Sequence, residues 1–274
     1  LSRKVRLNSD SALGIIAAIP LTPTAMKLLS ASELTDASHQ ELFSPNPPLA
    51  THLWLPLAII LILSAWLMGG GGDQWIADAI YRAQGSHWQL KSAWFTGGLI
   101  HRGGKWLSAL AALWAIGAAI SAWRSSGVSR WRRRWPLTML AASIAMSTLL
   151  VSRLKHLTGM DCPWDLSRYG GHQPYYGLFE SRQGLTASGC FPAGHASAGY
   201  AWVALYFFAI AVKPQWRLPA LAVGVVAGLV FGVAQQLRGA HFVSHDLWTL
   251  FICWTVPLLL FRLMPRANPA ETRA

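Results

Sequence analysis

Charge is what this sequence has little of. Asp, Glu, Lys and Arg make up 12% of the 274 residues, against 53% apolar ones. Soluble domains carry about 25% charged residues, so the scarcity argues against a soluble chain. Cysteine is limited to three residues with no C-x-x-C pair, which argues against a structural zinc site. Cys253 lies in an apolar run and reads as an ordinary core thiol. Cys162 and Cys190 share one polar loop, where an oxidising compartment would allow a disulfide. Acids are scarcer than bases, 11 against 23, which leaves a net charge of +12.

What is abundant is apolar sequence. A helix needs about 20 apolar residues to cross a bilayer. Six runs approach that length, at about 53–69, 106–123, 136–152, 196–212, 218–235 and 247–264. Gly69 to Gly72 breaks the first run, and Pro136 stands at the start of the third, where a helix tolerates proline. The expectation is an all-α, polytopic membrane protein, a bundle of six transmembrane helices.

The positive charge falls between the runs. Arg124, Arg130, Arg132, Arg133 and Arg134 share one loop, Lys213 and Arg217 another, and Arg266 and Arg273 the tail. Alternating helices put all three on one side, the cytoplasmic side by the positive-inside rule. Charge used to set topology argues against a nucleic-acid partner. The other side receives about 70–105, 153–195 and 236–246. Trp94, Trp106, Trp135 and Trp248 near span ends fit an interfacial aromatic belt. Segment 73–105 mixes Trp75, Ile76, Ala79, Ile80 and Trp88 with polar residues, and reads as an amphipathic helix on the outer face or as a capping loop.

Residues 1–50 differ from the rest. Arg3, Lys4 and Arg6 precede a short apolar stretch, 12–21, interrupted by Pro20 and followed by Pro23. A partial targeting signal and a flexible or interfacial segment both fit, and 30–48 reads as a linker. The division expected is 1–50 as an N-terminal segment, 51–265 as the membrane domain and 266–274 as a cytoplasmic tail.

Chemistry-bearing residues gather at the outer ends of spans three to six, in three clusters: Lys155 through Pro163, Phe191 through His195, and Arg238 through Asp246. A single ionisable group at a membrane boundary is normally a snorkelling anchor. Here cations and histidines converge from separate loops, and the Pro192–His195 turn opens a helix whose N–H groups favour an anion. That set makes a phosphate site. Few acids are near enough to cage Mg²⁺, which prefers carboxylates and water. The chemistry then falls to His as nucleophile and acid, with no metal and no other cofactor.

With these residues in place, the sequence resembles the phosphatidic acid phosphatase type 2 superfamily, over about 50–265. That family carries K-x6-R-P, P-S-G-H and S-R-x5-H-x3-D in order. The chain has Lys155 and Pro163 at the first spacing, Pro192 to His195 at the second, and His241 at the third. Cys162 stands where the family has Arg, Ala193 replaces Ser, and Gln235 replaces the Arg six residues before His241. Arg238, almost one helical turn on, could supply that charge. His245 stands at the Asp position, and Asp246 follows it.

The resemblance implies that His241 attacks phosphorus and is phosphorylated, and that His195 protonates the leaving oxygen and then activates water. Lys155 and Arg238 hold phosphate oxygens, with backbone donors at Ala193 and Gly194. His245 or Asp246 orients His241, with a slight preference for the carboxylate. Asp161, Asp165 and Arg168 replace lost contacts, bind a head group, or pair locally. A Cys162–Cys190 bridge would pin the Lys155 loop near His195.

The function this implies is a lipid phosphatase in the bacterial inner membrane, its site facing the periplasm. Substrates in view are undecaprenyl diphosphate, phosphatidic acid, phosphatidylglycerol phosphate and lipid A phosphate. A phosphotransferase would share the intermediate. A transporter would carry its charges near the midplane, whereas here they lie at span ends. A non-enzymatic membrane adaptor is the remaining class. Oligomeric state is not legible.

Overall fold

The computed structural model describes residues 46–125, 128–177, 180 and 188–263. The expectations for residues 1–45 and for Arg266 and Arg273 lie outside these. Six helical spans are long and apolar enough to cross a membrane. Their main helices are α1 (Ala50–Gly69), α3 (Gly104–Arg124), α4 (Val128–Thr158), the pair α5 (Gly194–Tyr200) and α6 (Ala204–Val212), α7 (Arg217–Leu237) and α8 (Val243–Leu263). A short helix, α2 (Gly72–Ala83), follows α1. No strand occurs among the described residues, where Leu166 and Gln173 make one isolated bridge. A helix satisfies each backbone polar group within the segment that crosses, as hydrocarbon requires. The chain is a multi-pass, all-α membrane protein.

Two expectations are corrected. Pro136 does not open its helix, since α4 begins at Val128 and holds Pro136 inside. The helix continues past the apolar stretch, and Arg134 folds back to give hydrogen bonds to the carbonyls of Ala122 (3.0 Å) and Ser125 (2.7 Å) at the end of α3. A cation there satisfies carbonyls that the helix itself leaves open. The region 73–105 is not one amphipathic helix either. After α2 comes a 3-10 turn, Gln89–Lys91, and then a π-helical stretch, Trp94–Gly103, that runs straight into α3. The second span therefore starts well before Trp106.

The tightest crossing lies between α5 and α7. Gly224, Gly228 and Gly232 form a four-residue repeat on α7 and are buried. A Cβ on Gly228 would lie 1.9 Å from the Tyr200 ring, and one on Gly199 would lie 2.5 Å from the Gly228 backbone. Small residues let membrane helices approach where no hydrophobic drive separates helix from lipid. Polar contacts join α3 to α5: Ser108 Oγ donates to the Ala198 carbonyl (2.6 Å), and Trp202 Nε1 donates to Ser108 Oγ (2.9 Å). The apolar core around Leu140, Ile144, Ala196, Val203 and Cys253 fills the space between α4, α5 and α8.

Chain direction sorts the charges. The ends of α3 and α8 and the starts of α4 and α7 carry Arg124, Arg262, Arg134 and Arg217. The opposite ends of these helices carry Lys105, the residues before Val243, Lys155 and Arg238. All of the residues discussed next sit at that second end.

Candidate active site

Local sequence explains where each group is held. Lys155 lies in the last turn of α4, where a cation is favoured by the helix dipole. His195 is the second residue of α5. His241 lies between α7 and α8, after a turn through Gly239 at φ +73°. Only glycine adopts that conformation cheaply, and a Cβ there would also strike the Trp88 ring at 2.4 Å.

The three motif loops are stitched to one another by backbone hydrogen bonds. Cys190 N–H donates to Met160 O (2.7 Å), Trp164 N–H to Gly239 O (2.9 Å), and Ala193 N–H to His245 O (3.2 Å). The first two motif loops are also joined by a Cys162–Cys190 disulfide, Cα–Cα 5.3 Å, the pairing expected from their shared loop. Thr158 Oγ donates to the Phe191 carbonyl. Arg168 makes a two-pronged ion pair with Asp78 of α2 (2.8 and 2.6 Å), and this pair draws the Asp78 carboxyl below its ordinary pKa. Asp73 of α2 accepts from the N–H (3.0 Å) and the hydroxyl of Ser244, capping α8. Burial outweighs those bonds and raises the Asp73 pKa.

At the centre His241 is buried, 4% exposed. Its ring hydrogen-bonds to the Cys190 backbone and lies within electrostatic reach of His245, His195 and Lys155. Burial first, and then these three neighbours, hold its pKa well below the usual imidazole range. A neutral ring keeps a lone pair for attack. His241 Nδ1 faces His245 Nδ1 at 3.5 Å, a long contact in which only one nitrogen can carry the hydrogen. Lys155 Nζ lies 3.9 Å from where a Cβ on Gly194 would stand, so the first motif's cation meets the second motif's turn.

Arg238 is held by two hydrogen bonds. Its Nη1 donates to Gln235 Oε1 (3.1 Å), and its Nε donates to the Lys91 carbonyl (3.0 Å). Gln235, which occupies the usual Arg position, thus holds the Arg that stands one turn later. Burial and the nearby Arg102 lower the Arg238 pKa.

Other expected residues are placed differently. Asp246 does not reach His241: its Oδ2 accepts from Gln236 Nε2, and its Oδ1 has no hydrogen-bond partner. One position along a helix turns a side chain by about 100°, and that step points Asp246 at α7, where a Cβ on Gly232 would meet it. His245 is the neighbour that faces His241. Ala193 is buried, and its N–H is already given to the His245 carbonyl, so it is not an available phosphate donor. Asp161 is buried and accepts from Ser188 Oγ (3.0 Å), which fixes the 188–190 stretch rather than a ligand. Arg168 is spent on its local ion pair.

Three residues at the site were missed from the sequence. The His101 ring lies against His195, centroid to centroid 3.8 Å at 33°. Lys105 and Arg238 are within reach of both imidazoles, and Arg102 is within reach of His101. The signal was present as His101-Arg102-Gly-Gly-Lys105 at the start of an apolar run, but glycines and charges there read as loop.

The model of the PAP2 superfamily matches residues 136–269. Neither a characterised protein nor a solved structure matches the chain. The matched stretch holds Lys155, the Pro192–His195 turn, Arg238 and His241, the residues that the loops bring to one end of the bundle. Through residues 136–269, just under half of its length, the chain is similar to the PAP2 superfamily.

Proposed function

We propose that this membrane protein is a lipid phosphatase that works through a phosphohistidine at His241. The family likeness supports a phosphatase-type function, and six helices long and apolar enough to cross a membrane support a lipid substrate. One observation carries the finer reading: a buried His241 with His195 and Lys155 in electrostatic reach, held by three interlocked loops. In the first step a His241 nitrogen attacks phosphorus. The P–N bond forms, the P–O bond to the leaving group breaks, and His195 gives its proton to that oxygen. In the second step His195 takes a proton from water, the oxygen attacks phosphorus, the P–N bond breaks, and phosphate leaves. Lys155 and Arg238 balance charge on the phosphoryl oxygens. The converging cations and imidazoles favour an anion and would repel a metal cation. His245 and the Cys190 carbonyl do the orienting work of the missing carboxylate.

By the positive-inside rule we read the Arg-rich end of the bundle as the cytoplasmic side. The site then faces the periplasm from a bacterial inner membrane, open to lipids of the outer leaflet. The test is phosphate release from a panel of lipid phosphates in EDTA. Wild type is expected to stay active, and His241→Ala to lose at least about 10³-fold in kcat. His245→Ala is expected to lose more than Asp246→Asn. Loss of wild-type activity in EDTA contradicts the metal-free mechanism, and an unimpaired His241→Ala contradicts the nucleophile.

A further inference from the structure

Lys105, Arg102, Lys155 and Arg238 crowd one end of the bundle, yet the salt bridges among the described residues are those of Arg82 and Arg168 with Asp78. The motif residues use Lys155 and Arg238. Lys105 and Arg102 come from outside the stretch that matches the family. Snorkelling would account for two exposed cations at a span end. It would not account for His101, half-buried with its ring against that of His195.

The position of that histidine is informative. His101 and Lys105 share one narrow cleft with His195, whereas His241 lines a separate one with Asp73, Gln236 and Phe242. His101 and Lys105 thus meet His195 on a side that His241 does not line. If His195 protonates the leaving oxygen, that side faces the leaving group. His101, Lys105, His195, Ala198, Phe231 and Gln235 line a narrow cleft of about 10 Å³. That is room for a water and not for a phosphate, so an anion would be met at the mouth, where the long Lys105 and Arg102 side chains are exposed.

We propose that His101, Arg102 and Lys105 form a second phosphate subsite, and that the enzyme prefers a lipid diphosphate monoester to a lipid monophosphate. The terminal phosphate sits at His241 and Lys155, and the inner phosphate at the 101–105 turn. The first step then breaks the bond between the terminal phosphorus and the bridging oxygen. The leaving group is a lipid monophosphate, whose charge Lys105 and Arg102 neutralise as it develops. An alcohol leaving group would have no use for two cations at that place.

The subsite rests on the phosphatase reading for its direction, and the experiment separates the two. The full chain in detergent is assayed on farnesyl monophosphate and farnesyl diphosphate, and in parallel for binding of the methylene-bridged farnesyl bisphosphonate and the farnesyl monophosphonate. Wild type is expected to favour the diphosphate in kcat/KM. In Lys105→Gln the diphosphate-to-monophosphate ratio should fall about tenfold, the size of one charge-assisted contact. The bisphosphonate-to-monophosphonate affinity ratio should fall alongside it, and Lys105→Arg should restore both. An unchanged affinity ratio in Lys105→Gln overturns the subsite, whether or not the protein turns over. A selective fall in bisphosphonate affinity without any phosphate release keeps the subsite and overturns the phosphatase.

Discussion

The proposed attack on phosphorus needs a neutral His241, and its surroundings favour that form. Burial and three basic neighbours press its pKa well below the ordinary value, which is about 6.5 in an unfolded chain. Between those two values the unfolded state binds a proton that the folded state refuses. Stability is therefore fully present above about pH 6.5 and is lost as pH falls towards the depressed value. Thermal unfolding in detergent should show a midpoint that drops between pH 7 and 5, and His241→Gln should make that drop shallower. A variant with the wild-type pH slope would show that the imidazole is not held neutral. At this scale the sequence was a good guide to which residues gather and a poor guide to where they point. Lys155, His195 and His241 came from the resemblance to the family's motifs, and Arg238 from its place one turn after Gln235. The choice between His245 and Asp246 depended on helix phase at the start of α8, and hydropathy does not report phase over so short a distance.

Among the elements, the crossing of α5 and α7 governs where His195 sits. Nothing but hydrogen fits between Gly228 and the Tyr200 ring, or between Gly199 and the backbone of α7. Gly228→Val should cost at least about 1–3 kcal/mol, the range for overpacking a tight core, and lower kcat as α5 is displaced. Gly117→Val is the control, because nothing lies within 4 Å of a Cβ at that position. Its cost should stay under about 1 kcal/mol. Unfolding midpoints of the two variants in one detergent check this, and equal losses would contradict a crossing set by glycine. Hydrophobic length located all six spans, but their ends were less legible. Polar glycine-rich sequence at 97–104 hid the helix that carries His101, because π-helical and loop segments share that composition. Pro136 reads as a helix start, yet the α4 backbone continues beyond it and its Arg134 caps α3.

For the molecule as a whole, two ends of one bundle have separate uses. One end carries Arg124, Arg134, Arg217 and Arg262. The other binds three motif loops together with a disulfide, backbone bonds and the α2 helix, which Asp73 and Asp78 tie to Ser244 and Arg168. Interlocking of this kind keeps cations and imidazoles close despite their mutual repulsion, and an incoming phosphate relieves that repulsion. The family match and the shared end of the bundle make phosphoryl transfer to His241 the central claim. It is tested most directly by trapping the intermediate. Full-length protein in detergent is mixed with a lipid phosphate labelled on its terminal phosphorus, quenched in alkali within a turnover, and digested for mass spectrometry. The expected result is an acid-labile, alkali-stable phosphate on the peptide holding His241, absent from His241→Ala. Phosphate released with no labelled histidine, or a label on another residue that survives His241→Ala, would contradict it.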